Sequence, residues 1–466
     1  MNQRIPARVV ETIDPGKPAR PLEGPIHTRS FTGRYRTLRM LGSGFLFLLF
    51  FGTDWLTWND RQAVLWDLAE RQFHIFGATF LPQDFILLSA LLIICAFGLF
   101  FITVAAGRVW CGYTCPQSVW TWVFMWVEKV TEGDRNQRIK LDAAPWSLNK
   151  LLKRGAKHGL WLGIGLVTGL TFVGYFTPIR GLVEDLLALR LLEPGVLWVA
   201  GFTAATYLNA GWLREKVCRD MCPYSRFQSV MFDQDTLLIA YDSARGEPRG
   251  ARRKGSDPAA AGLGDCIDCT VCVQVCPTGI DIRDGLQLEC IGCGACVDAC
   301  NGIMDKMGYA RGLVRYTSES ELAGGRTLWL RPRLVGYAIA LLLMIGLFIA
   351  ALAARPLLSL DVTRDRGLFR ENNEGQIENI YRLKLINKTQ RPARYQLALD
   401  AGDALRLNAP AELRLAAGEI LDIPVSVTRV SDQGQGMTTE IGFILRDLDH
   451  PERRVGTPST FIAPQR

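Results

Sequence analysis

The sequence predicts a polytopic α-helical membrane protein of about five spans. It carries a cysteine-rich module on the inner side of the bilayer and a C-terminal immunoglobulin-like β-sandwich on the outer side. Three observations predict this: nearly charge-free stretches of about 20 residues, eight cysteines packed into residues 266–300, and alternating apolar runs after residue 354. The 466 residues are 48 % hydrophobic and 21 % charged, which is too apolar for a disordered or collagen-like chain. The segregation of charge along the chain excludes a single soluble domain.

A bilayer core of about 30 Å takes roughly 20 apolar residues in a helix. Five stretches qualify, at 40–58, 85–106, 159–177, 195–213 and 334–353, the first and fourth weakened by Asp54 and Asn209 near their ends. Residues 1–39 are polar and basic without an early apolar run, so no cleavable signal is expected. Lys and Arg number eight in residues 1–39, two in 59–83, nine in 107–157 and two in 178–194. Because positive residues stay on the cytoplasmic side, this alternation orients the chain in a bacterial inner membrane. It predicts a cytoplasmic tail (1–39), a four-helix membrane domain (40–213), a cytoplasmic segment (214–333), a fifth span (334–353) and a periplasmic domain (354–466).

In the last segment, runs at 381–387, 394–400, 420–430 and 439–448 alternate apolar and polar residues and are separated by Asn, Gly, Asp and Pro. That spacing predicts a small β-sandwich. It contains no cysteine, so an immunoglobulin likeness does without the usual bridge, and a docking role without chemistry is the expectation.

Cys266, Cys269, Cys272 and Cys276 follow the spacing C-x2-C-x2-C-x3-C-P, and Cys290, Cys293, Cys296 and Cys300 repeat it with Asn301 in place of the proline. Such spacing brings three thiolates to one cubane while the fourth ligates the other cluster. One [4Fe-4S] cluster is therefore expected on Cys266, Cys269, Cys272 and Cys300, and a second on Cys276, Cys290, Cys293 and Cys296, in a ferredoxin-like module at about 257–308. Zinc needs only four ligands in looser pairs. The missing second proline is expected to weaken the turn and leave ligation intact.

Cys111 with Cys115 and Cys218 with Cys222 form two C-x3-C-P motifs offset by 107 residues, an internal repeat of a two-helix unit. Pro116 and Pro223 suit the first helical position, which places Cys115 and Cys222 at helix N-termini, where thiolates are stabilised. A fully helical pair would instead hold its Cβ atoms about 5–6 Å apart, too wide for a disulfide. Either geometry suits a thiophilic ion such as Cu(I), with Met221 as a further sulfur. Two ordinary reduced thiol pairs are the alternative.

The remaining features carry less. Cys95 is expected to pack within its span. The glycines of 163–174 lie inside a span, where small residues allow close helix packing, so no nucleotide loop is expected. His27, His74, His158 and His450 are too scattered for haem ligation, and His74 is expected at the surface. The Trp-rich run 119–127 reads as an interfacial helix, and the basic stretch 245–254 as a solvated linker near anionic lipid. Nucleic-acid binding is not expected.

With both C-x3-C-P motifs, the tandem cysteine run and the segment from Val275 to Tyr316, the chain resembles the cytochrome c oxidase accessory proteins of the CcoG, FixG and RdxA family. Segments 364–372 (RDRGLFREN) and 377–389 (IENIYRLKLINKT) extend the resemblance into the outer domain. The resemblance implies assembly of a cbb-type haem-copper oxidase through reduction of Cu(II) to Cu(I), with a copper chaperone or exporter as recipient and the electron donor unknown. It also implies that Cys111, Cys115, Cys218 and Cys222 handle copper and that the other eight hold iron. A carrier feeding another membrane oxidoreductase, and a non-enzymatic scaffold or redox sensor, are the competing classes.

Overall fold

The computed structural model describes residues 26–464, apart from Asp60, 258–261, Asn373, Gln390, Asp403 and 431–436. Residues 1–25 of the expected N-terminal tail lie outside the described residues. The chain divides into two compact units, Met1–Leu56 with Ser89–Gly346, and Thr57–Leu88 with Leu347–Arg466.

The helices are α1 Arg34–Gly52, α2 Phe85–Ala106, α3 Val109–Tyr113, α4 Pro116–Glu132, α5 Arg135–Ala143, α6 Leu148–Gly174, α7 Ile179–Leu187, α8 Pro194–Thr206, α9 Pro223–Met231, α10 Ser243–Gly246, α11 Val271–Gln274, α12 Ala295–Met307, α13 Glu319–Leu322 and α14 Pro332–Ala353. Three of them, α2, α6 and α14, are long and apolar enough to cross a membrane. The first expected span is displaced. Helix α1 starts six residues earlier, at Arg34, because the Asp298 carboxylate accepts from the Tyr35 and Arg36 N–H groups (3.2 and 2.8 Å) and caps it. It ends at Gly52. The fourth expected span is α8 followed by a wide π-helical stretch, Tyr207–Leu213.

In the first unit α6 packs on α8 through glycine. A Cβ on Gly169 would stand 2.8 Å from the Val199 carbonyl oxygen, and one on Gly165 would stand 3.1 Å from that of Thr203. The small residues of 163–174 thus serve close helix approach, as read from the sequence. The Trp-rich helix α4 is packed on one face, with Phe124 fully buried and stacked on Trp161 at 5.2 Å between centroids.

The cysteine-rich module is built on an antiparallel pair, Leu238–Tyr241 with Val314–Thr317, and on α12. Ile239, Ile282, Val297, Met304 and Leu313 form its apolar core. Two sequence expectations fail here. Asn301 lies inside α12 rather than at a weakened turn: without the proline the helix runs on to Met307, and the Asn301 side chain accepts from Gly312 N–H at 2.9 Å. The basic stretch is not a free linker. Arg245 pairs with Asp265 (2.5 Å) and caps the Ala310 and Arg311 carbonyls, while Arg252 donates to Gly264 O (2.6 Å) and stacks on Tyr309. These arginines fasten the segment to the module because each finds a carbonyl or carboxylate left over by a helix end or turn.

In the second unit the predicted sandwich is present. One sheet orders Leu405–Asn408, Ile420–Arg429, Ile377–Asn387 and Leu358–Arg364, with Arg370–Glu371 added to the third. The other orders Leu413–Leu415, Ala393–Asp400, Thr438–Asp447 and Arg454–Ile462. Tyr381, Leu383, Leu385, Phe443 and Leu445, all fully buried, meet between them. The same unit holds a small sheet of Val64–Asp67, Gln72–Ile75 and Ala78–Phe80. His74 is buried there, not at the surface, because its Nδ1 lies 2.6 Å from Arg61 Nη1 and 3.1 Å from Thr79 Oγ1. Cys95, by contrast, is exposed on α2 rather than packed, since the apolar stretch of α2 has no buried face.

Candidate functional site

The eight clustered cysteines line two cavities in the crossed pattern. Cys266, Cys269, Cys272 and Cys300 surround one. Cys276, Cys290, Cys293 and Cys296 surround another, with Cys272 on the shared wall. Helix α12 produces the crossing. It begins just before Cys296, at Ala295, and carries Cys300 one turn further on, where it reaches the first cavity. Burial pushes the Cys272, Cys290 and Cys300 thiols up to about 12 and raises those of Cys276 and Cys296 as well. A bound cation is what makes thiolates stable in such surroundings. Among the described residues no three His, Cys, Asp or Glu side chains converge on a point that could hold a single metal ion. Zinc at about 2.3 Å would draw four sulfurs together, whereas four thiols spread around a cavity suit a cubane that takes one at each iron. The donor set therefore fits a [4Fe-4S] cluster in each cavity.

The two C-x3-C-P motifs come together beside the second of these cavities. As the proline position predicts, Pro116 and Pro223 are the first residues of α4 and α9, with Cys115 and Cys222 as the N-caps. Cys111 lies in α3 and Cys218 in a π-helical turn, Val217–Met221. All four thiols are free and half-buried, and they are close enough to act on one another's charge. Burial pushes Cys111 up to about 11, against a hydrogen bond from Gln228 Nε2 at 3.4 Å, and Cys218 up to about 12. Met221 is exposed.

Four further residues hold the thiol group or the cluster loop in place, and the sequence reading missed each of them. Cys111 packs against the apolar group containing Ile291 and Cys293. Gly112 allows that approach, since a Cβ there would stand 2.7 Å from Gly292 O and 2.9 Å from Cys293 Cα. Arg108 is buried, and its guanidinium donates to Leu288 O, to Cys290 O (3.1 Å) and to Ser225 O (2.7 Å), joining both motifs to the cluster loop. Tyr316 donates to Gly292 O at 2.5 Å, and Gln228 reaches Cys111 from α9. The only sequence signal was Arg108 itself, a cation at the end of an apolar span, where it counts equally well as an orientation charge.

A larger cavity of about 950 Å³ opens beside the motifs, with Cys218, Arg108, Glu128, Glu132 and His158 among its walls. Its two deep carboxylates are already paired, Glu128 with Arg138 (2.7 Å) and Arg214 (2.5 Å), and Glu132 with Arg154 and Lys157 (both 3.0 Å). Burial alone would raise Glu128, but the Arg214 and Arg138 guanidiniums hold it below the usual carboxylate range.

Comparison with known proteins places the domains. Residues 213–319 match the model of a 4Fe-4S dicluster domain, and residues 348–464 match that of the Ig-like fold at the C-terminus of FixG. The nitrogen fixation protein FixG of Rhizobium meliloti (strain 1021) is 37 % identical over 91 % of this chain and 90 % of its own. From Cereibacter sphaeroides, protein RdxA is 39 % identical over 92 % of this chain and 94 % of its own, and protein RdxB 42 % identical over 82 % and 83 %. With relatives of 37–42 % identity over most of the chain, a dicluster domain and an Ig-like C-terminal sandwich, the chain belongs to the FixG/RdxA family of iron–sulfur proteins.

Proposed function

We propose that this chain is a membrane-bound electron-transfer protein that reduces Cu(II) to Cu(I) for assembly of a cbb-type cytochrome c oxidase. The single observation that carries the reading is the seating of the four C-x3-C-P thiols, through Cys111 and Gly112, directly on the loop bearing Cys290 and Cys293. Cys266, Cys269, Cys272 and Cys300 would hold one [4Fe-4S] cluster, and Cys276, Cys290, Cys293 and Cys296 the other. When bound, such clusters supply one-electron redox chemistry.

The protein residues do the rest. Arg108 fixes the distance between motif and loop through its three carbonyl contacts. Cys111, Cys115, Cys218 and Cys222 hold the copper substrate, whose cuprous state soft sulfur ligands favour. Each Cu(II) takes one electron and becomes Cu(I), the electron originating in a reduced cytoplasmic carrier or a quinol. No proton donor or nucleophile is required. Five spans in the bacterial inner membrane, with the cysteines cytoplasmic, let Cu(I) pass to a chaperone or exporter, while the periplasmic sandwich docks assembly factors.

The test uses anaerobically purified, dithionite-reduced protein. Rapid reoxidation by Cu(II), lost when Cys111, Cys115, Cys218 and Cys222 become Ser, is the expected result. Reoxidation by a quinone but not by copper would make the chain a carrier for another oxidoreductase, and inertness to both would make it a scaffold.

A further inference from the structure

The four motif cysteines are equivalent in sequence but not in surroundings. Cys218 forms part of the wall of the 950 Å³ cavity. Cys111 is turned the other way, into the apolar group of Ile291, Cys293 and Ala295, and its sulfur is hydrogen-bonded to Gln228 from α9. Glu128 and Glu132 are each engaged by two cations, and Asp142 and Asp281 also carry cationic partners, while Glu215, Asp284 and Glu289 complete the acidic lining. What sets the cavity apart from a merely acidic one is the Cys218 sulfur in its wall, a soft donor that binds monovalent d10 ions in preference to hard divalent ones.

We infer that the repeat has divided its labour: the cavity is the route by which a thiophilic cation enters, Cys218 is the first sulfur it meets, and Cys111 is the closed end of the thiol group, set against the Cys290–Cys293 loop. Arg108 is the positioning residue between the two ends, since it lines the cavity and also grips Cys290 O and Ser225 O. The assignment deepens the copper-handling reading and rests on it for the identity of the ion.

The test uses full-length, cluster-loaded protein in nanodiscs under anaerobic conditions, with Ag(I) as a thiophilic ion that the protein does not reduce. Cysteines are modified with N-ethylmaleimide and with a bulky maleimide-polyethylene glycol, and the sites are read by peptide mass spectrometry. The bulky reagent is expected to modify Cys218 at least about tenfold faster than Cys111, because reactivity follows access. One equivalent of Ag(I) is expected to protect Cys218. Cys218→Ser is expected to weaken Ag(I) binding while leaving the visible absorption of the clusters unchanged. Equal modification of Cys111 and Cys218 by the bulky reagent, or undiminished modification of Cys218 in the presence of Ag(I), would overturn the assignment. Since Ag(I) takes no electron here, its binding is read independently of copper reduction. Protection of Cys218 without reoxidation by Cu(II) would refute the reductase reading and uphold the entry route.

Discussion

Replacing Gly112 with alanine probes the contact on which the site depends. The added Cβ would stand 2.7 Å from Gly292 O and 2.9 Å from Cys293 Cα. Both neighbours are backbone, so no side-chain rotation relieves the clash. Bringing the shorter distance out to an ordinary 3.4 Å contact requires the cluster loop to move by about 0.7 Å. That movement is opposed from two sides. Gly292 holds φ at +63°, and a shift pulls its carbonyl from the Tyr316 hydroxyl at 2.5 Å. Overpacking of this kind costs about 1–3 kcal/mol, and a weakened hydrogen bond adds about 1 kcal/mol. Gly302 is the control. It lies within α12 of the same module with nothing within 4 Å of its would-be Cβ, so Gly302→Ala is expected to stabilise the protein by about 0.5–1 kcal/mol through helix propensity. Thermal unfolding of the cluster-loaded protein reads both variants, and the low-temperature paramagnetic spectrum of the reduced form reads the loop. Gly112→Ala is expected to lower the melting temperature and perturb one cluster signal only. Unfolding curves that move together for the two variants, with the spectrum unaltered, would refute the packing argument.

Three other predictions follow from the structure. Cys266→Ser and Cys300→Ser are expected to alter one cluster's paramagnetic signal, and Cys276→Ser and Cys290→Ser the other; a common effect of Cys266→Ser and Cys276→Ser would show that ligation is not crossed. His74 is 9 % exposed, and burial followed by the Arg61 charge pushes its pKa from 6.5 down to about 4. The unfolded chain therefore takes up a proton below about pH 6.5 that the folded chain refuses, so stability falls by up to about 3 kcal/mol between pH 6.5 and 4 and levels off below; His74→Gln, followed by melting at each pH, is expected to flatten that slope. In the same unit Asp84 lies between Arg355 (2.7 Å) and Lys388 (3.2 Å), with all three side chains less than a tenth exposed. Asp84→Ala strands two cations and is expected to cost about 3–5 kcal/mol, whereas retention of the wild-type melting curve would show that the two cations find other partners.

What the sequence disclosed and what it hid divide by distance along the chain. The repeated cysteine spacing foretold which thiols line each cavity, Pro116 and Pro223 foretold where α4 and α9 begin, and the period-two runs foretold four long strands of the sandwich, because each of these signals is a fixed short spacing. The residues that make a site of these parts act between segments far apart. Asp298 caps α1 across 263 positions, Arg108 holds Cys290 across 182, and Gln228 meets Cys111 across 117. Periodicity has no access to such pairs. Asn301 shows the same limit from the other side: the absent proline was visible, but that its absence lengthens α12 became clear only with Gly312 as its partner. A buried arginine at the foot of a span, beside a C-x3-C-P motif, is thus ambiguous in sequence between an orientation charge and a clamp. In this chain the three carbonyls around Arg108 decide for the clamp, since a cation placed only to orient a helix has no reason to leave water.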